Sequence, residues 1–190
     1  AIERHRQQQF KVQMARSKKE GRVLAFIGAR GGMGTTTTAH NVAAALARDR
    51  RTILVELSTA PEALAWYTGA NPTRDLGDLL EMSPEQVRAE DVEAAICKLP
   101  MGLEVLFSPQ GCKPAPQISQ EHAAAIIRRT RELADIVVLD VPRYPSISTQ
   151  TAVRSAAFVA VVTSLENAGR EAARMTLGFL ISWGLSSALV

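Results

Sequence analysis

From residue 21 onward, short apolar and often β-branched runs alternate with longer stretches whose apolar residues recur at spacings of three and four. The runs cover residues 23–27, 52–56, 103–107, 136–140 and 158–163, and their near-continuous hydrophobicity predicts strands covered on both faces. Five strands are predicted and a sixth is expected. Helical spacing marks residues 36–48, 118–133 and 166–183, with shorter helices predicted at 61–67, 76–81 and 85–98. In the last of these, Ser83-Pro84-Glu85-Gln86 reads as a helix start, with Ser83 as cap and Pro84 in the first turn. Strands alternating with helices in this way imply an α/β fold, a mainly parallel β-sheet flanked by helices on both faces.

Composition and charge add boundaries to that picture. A chain of 190 residues with 46% hydrophobic content suits one domain with a real core. Residues 1–20 are polar and Gln-rich and read as a basic linker leading into a domain over residues 21–190. The start at Ala1 and the stop within the apolar run Ser187-Ala188-Leu189-Val190 suggest a piece of a longer protein, truncated at the C-terminus. Residues 1–22 hold seven Lys/Arg against two acids, so of the net +3 the remaining chain carries −2. The body therefore lacks a basic footprint for nucleic acid, and the lead-in reads as a solvated linker rather than as a nucleic-acid or membrane contact. Cys97 and Cys112 form no CxxC pair and have no neighbouring His, which argues against a disulfide framework or a zinc site and for a reducing, cytoplasmic setting. No apolar run reaches the roughly 18 residues of a membrane span, and no signal peptide is visible.

The chemistry is concentrated directly after the first predicted strand. There the chain reads Ala29-Arg30-Gly31-Gly32-Met33-Gly34-Thr35-Thr36-Thr37-Thr38 and passes at once into the helical Ala39-His40-Asn41-Val42. Three glycines in four residues admit backbone conformations closed to other residues, so that successive N–H groups can cradle a polyphosphate at the positive end of the helix. The plain alternative is a tight turn whose glycines serve only close packing. Four consecutive threonines speak against it, because threonine is a mediocre helix former and its hydroxyls are suited to oxygen ligands, with Thr36 placed to coordinate Mg²⁺.

This loop resembles that of the ParA/MinD family of P-loop proteins, whose deviant Walker A motif reads K-G-G-x-G-K-[ST]-T; residues 30–37 read R-G-G-M-G-T-T-T. Arg30 stands where the family has its signature lysine, and Thr35 where it has the ordinary P-loop lysine. The resemblance implies a three-layer P-loop NTPase fold binding Mg²⁺-ATP. In that picture Arg30, Gly31, Gly32, Met33, Gly34, Thr35, Thr36 and Thr37 surround the phosphates, and Thr37 reaches the α-phosphate. Ile136-Val137-Val138-Leu139-Asp140-Val141-Pro142 is similar to the Walker B run, which makes Asp140 the second metal-holding residue with Thr36. The family's Asp-x-Asp run after the second strand is here Glu56-Leu57-Ser58. Glu56 is thus a candidate catalytic residue, with Arg30 beside it acting across a dimer, although Glu56 also reads simply as a strand-end acid.

Loss of the P-loop lysine and of one acid implies slow or absent hydrolysis, since one lost electrostatic stabiliser costs about 10²–10³ in rate. The loop and the degraded Asp-x-Asp strand look most like the CpaE/TadZ branch. That likeness implies a homodimer that places pilus or secretion machinery, lying in the cytoplasm or at the inner membrane near a cell pole. The alternatives are a competent ParA/MinD ATPase and a scaffold that has lost nucleotide. His5, His40 and His122 are too scattered for a metal site. Trp66, Tyr67 and Trp183 read as packing, the 128–132 stretch as a charged outer face, and the apolar stretch from Leu177 as a sheet-covering helix.

Overall fold

Alternation along the strands decides which helix packs on which face. On β1 (Arg22–Gly28), Val23, Ala25 and Ile27 point into one core and Phe26 into a second on the opposite side of the sheet. The same period of two divides Ile53 and Val55 from Leu54 on β2 (Thr52–Glu56), and Val137 and Leu139 from Val138 on β5 (Ile136–Val141). The computed structural model describes residues 20–60, 63–111 and 116–185. With β3 (Cys97–Lys98) at one edge, the sheet order is β3-β4-β2-β5-β1-β6, in which β4 (Glu104–Leu106) runs parallel to β2 and β6 (Phe158–Val162) parallel to β1. This is the α/β arrangement expected from the sequence, a mainly parallel sheet between two helical layers.

Helix α1 (Thr35–Leu46) covers one face through Ala39 and Ala43, joined there by Leu64 of α2 (Leu64–Thr68). The other face is covered by α3 (Leu76–Leu80), α4 (Ala89–Ala95), α5 (Gln120–Leu133) and α6 (Ile147–Ser155), and Leu180 of α7 (Asn167–Ser182) reaches the same core. Small residues at 39 and 43 let α1 approach the sheet closely. The large apolar residues facing it each contribute roughly 1.5–3 kcal/mol by burial. The chain leaving β1 therefore turns to one face, whereas the chain leaving β5 turns through α6 to the other. A crevice opens between them at the carboxyl ends of the strands, the position where open α/β sheets bind ligands.

Two sequence expectations are corrected, and one helix went unpredicted. The helix expected over 85–98 is confined to Ala89–Ala95, because the chain beyond it is captured by the sheet as β3 (Cys97–Lys98), antiparallel to β4. Ser83 does not cap that helix: its hydroxyl donates to the Gln86 side chain within a separate turn, and the N–H of Arg88 donates to Asp91 at the true start. Helix α6 was not signalled by apolar spacing; it is started by Ser146, whose hydroxyl accepts from the Thr149 N–H at 3.0 Å. The linker expected over 1–20 falls almost wholly outside the described residues, as do Cys112 and the run 187–190. No helix among the described residues is long and apolar enough to cross a membrane.

Candidate functional site

The loop after β1 is shaped by what its residues lack. A Cβ on Gly28 would lie 2.5 Å from the Thr35 hydroxyl, so any larger residue there would have to displace the first turn of α1 or the Thr35 side chain. Gly32 and Gly34 hold φ of 75° and 77°, in the left-handed region that disfavours side chains. Gly34 is also the N-cap of α1 and supplies no side chain to its first N–H groups. Those amides face a cavity of about 700 Å³ lined by Gly31–Gly34, Thr35 and Thr36 on one side and by the ends of β2 and β5 on the other. Thr37 is exposed and is not part of the wall; Thr38 turns its hydroxyl back onto the Gly34 carbonyl at 2.9 Å.

Glu56 and Asp140 stand side by side on the cavity floor, in register as partners on β2 and β5. Their surroundings differ. Glu56 is 1% exposed, and its Oε2 accepts from the N–H and the hydroxyl of Ser108 at 3.0 and 3.2 Å. It thereby ties β2 to the chain leaving β4. Asp140 is only half-buried and shares the cavity wall with Thr36. Ser58 forms a local turn, its hydroxyl accepting from the Ala60 N–H at 3.2 Å.

Arg30 lines the same cavity. Its guanidinium is paired within the chain to Glu166, the N-cap residue of α7, which also accepts from the Ser164 hydroxyl at 3.2 Å. Two further residues of the cavity wall went unread as site residues. Arg143 lies with its guanidinium carbon 4.2 Å from the centroid of the Tyr144 ring and donates to the Tyr144 hydroxyl at 2.7 Å. Arg143 Nε also stands 3.8 Å from the position a Cβ would take on Gly31. The only sequence signal for either was the altered Pro142-Arg143-Tyr144-Pro145 segment after Asp140. Ser108 carried none beyond following the fourth strand.

The donor set fits a hard divalent cation. Mg²⁺ favours one or two carboxylates completed by phosphate oxygens and water over an all-protein cage. Asp140 and Thr36 share one cavity, and no cluster of three or more His, Cys, Asp or Glu side chains suited to metal occurs among the described residues. The histidines are occupied otherwise. His122 bonds the Met82 carbonyl at 2.9 Å, and His40 packs edge-on to Tyr67 with its pKa lowered by burial.

Comparison with known proteins bears on the fold and the family. Among solved structures, the chain is similar to a ParA family ATPase from Chlorobium tepidum, with a TM-score of 0.78 and 19% identity over 88% of this chain and 71% of that one. The Pyrococcus furiosus cell division ATPase MinD gives 0.72 and 22% over 87% and 69%. MinD of Pyrococcus horikoshii in complex with Mg-ADP gives 0.71 and 20% over 87% and 67%. At such identities the likeness establishes the fold, that of the ParA/MinD P-loop ATPases. No curated protein matches the sequence. A family model described as "Cellulose biosynthesis protein BcsQ" matches residues 22–177, spanning β1, the glycine loop, Asp140 and most of α7. The chain therefore belongs to the BcsQ family and has the fold of the ParA/MinD P-loop ATPases.

Proposed function

We propose that residues 21–190 form an ATP-binding domain of ParA/MinD type that dimerises and acts as a localisation factor for an envelope-spanning machine, hydrolysing ATP slowly or not at all. The observation that carries this reading is the open first turn of α1. Its amides, with no side-chain cap, face a cavity that also holds Asp140. The amides of Gly31–Gly34 wrap the phosphates, and Thr36 and Asp140 hold Mg²⁺, which supplies the charge that draws the phosphate oxygens together. The MinD relative with Mg-ADP supports this choice of ligand. Thr37, exposed beside Thr36 at the start of α1, would reach the α-phosphate.

Slow turnover follows from the same geometry. Thr35 brings no positive charge to the phosphates, and Glu56 is buried with its carboxylate engaged by Ser108. The family description favours the cellulose-synthesis apparatus as the machine served. The Gly-Ala-Arg-Gly-Gly-Met-Gly-Thr-Thr-Thr-Thr loop keeps the CpaE/TadZ-type pilus apparatus as a second reading. Residues 1–20 then serve as a basic linker, and the protein acts in the cytoplasm, at the inner membrane only as a peripheral partner.

Thermal melting with and without millimolar Mg²⁺-ATP tests the core of this reading. A clear rise in Tm is expected, because a ligand at 100 times its Kd stabilises by about 2.7 kcal/mol. The absence of any shift would leave a nucleotide-free scaffold as the answer. Phosphate release well above background from the purified chain would overturn the claim of slow hydrolysis while sparing that of binding.

A further inference from the structure

The geometry points to Arg143 as the residue that supplies, from within the same chain, the phosphate charge that a P-loop lysine would carry. The inference rests on reading the cavity as a nucleotide site. Thr35 holds the lysine's place and is neutral. Among the described residues lining the cavity, two are cations, Arg30 and Arg143. Arg30 is already paired with Glu166. Arg143 has no carboxylate at ion-pair distance among the described residues; its polar partner is the neutral hydroxyl of Tyr144.

Placement and restraint both favour that role. Arg143 Nε stands 3.8 Å from where a Gly31 side chain would begin, so its fork overhangs the start of the phosphate-wrapping loop. It follows Asp140 by three residues, so the strand end that offers a carboxylate to the metal also offers a guanidinium to the anion. A metal held by Asp140 and Thr36 would neutralise phosphate charge, and a cation beside it would act on the same group. The loop is held at both ends. Pro142 and Pro145 restrict its backbone, and Thr149 of α6 donates its hydroxyl to the Tyr144 carbonyl at 3.0 Å. Stacking on the Tyr144 ring restrains the guanidinium in turn, so less freedom is lost when it meets phosphate. A planar fork can bond two phosphate oxygens at once, which a lysine cannot.

Calorimetric titration of the purified chain with ATP, ADP and AMP, each with and without Mg²⁺, tests the assignment on the unsubstituted protein, Arg143→Ala and Arg143→Lys. Arg143→Ala is expected to weaken ATP binding by about ten- to a hundredfold, ADP binding less, and AMP binding hardly at all. Arg143→Lys should recover part of the loss, because charge returns without the fork. The dependence of ATP affinity on salt should also become shallower in Arg143→Ala, a change that a merely structural role would not produce. The ligand-free Tm of each variant shows that it is folded. Unchanged ATP affinity in Arg143→Ala, or equal loss for all three nucleotides, overturns the assignment and leaves the nucleotide site standing. If the unsubstituted chain binds none of the three, the nucleotide reading itself falls and takes this one with it.

Discussion

The two loops that close the cavity are built on opposite plans. The loop after β1 works through its backbone: glycines at positive φ, an uncapped helix start, and threonines where charge would be expected. The loop after β5 works through side chains: Asp140 at the strand end, Arg143 stacked on Tyr144, and two prolines that limit the backbone. A backbone cradle depends on conformation and so is insensitive to exchange of a neighbouring side chain. A side-chain array depends on the identity of its residues.

The comparison is broken most severely at Gly34. Gly34→Val forces a β-branched residue to φ near 77°, which costs roughly 1–2 kcal/mol of stability. It should also abolish the Mg²⁺-ATP shift in Tm, because the first amides of α1 move. Next in size is Asp140→Asn, which should remove the Mg²⁺-dependent part of ATP affinity, about tenfold or more, while leaving metal-free binding nearly intact in calorimetry. Thr35→Lys sharpens the contrast from the other side. If the first loop lacks only charge, ATP should bind about tenfold more tightly, consistent with 1.5 kcal/mol or more for a charged hydrogen bond. Unaltered affinity would mean that the second loop already meets the phosphates fully.

A smaller effect is expected from Thr149→Val, which removes the hydroxyl bond to the Tyr144 carbonyl. Chemical denaturation should show a loss of about 1 kcal/mol, with a modest weakening of ATP that parallels Arg143→Ala. The smallest concerns His40, on α1 below the first loop. Burial lowers its pKa from 6.5, so its folded form resists the proton that the unfolded chain accepts. Its contribution to stability is therefore complete above pH 6.5 and declines as pH falls below that value. His40→Gln should flatten the acid side of a Tm-against-pH curve without altering the curve near pH 8.

How much of the site could be read along the chain follows the same division. The glycine loop is contiguous, and its strand and helix neighbours are adjacent in sequence, so its form was legible residue by residue. Asp140 was legible because an acid ending a run of apolar residues is conspicuous. The contacts that assign the side chains were not legible, because they join distant segments. Glu56 meets Ser108 across 52 positions, and Arg30 meets Glu166 across 136. Periodicity also extended the helix before β3 too far, since pairing with β4 is a property of the sheet and leaves little mark on two residues.

The sequence by itself determined the alternation of strands and helices, the glycine loop and the acid that ends the fifth strand, because each is encoded by neighbouring residues and short-range conformational preference. Only the tertiary structure decided which side chains meet which. It paired Arg30 with Glu166, buried Glu56 against Ser108, and brought Arg143 over Gly31. Long-range electrostatics depends on distance in space, and the order of residues along the chain does not contain that distance.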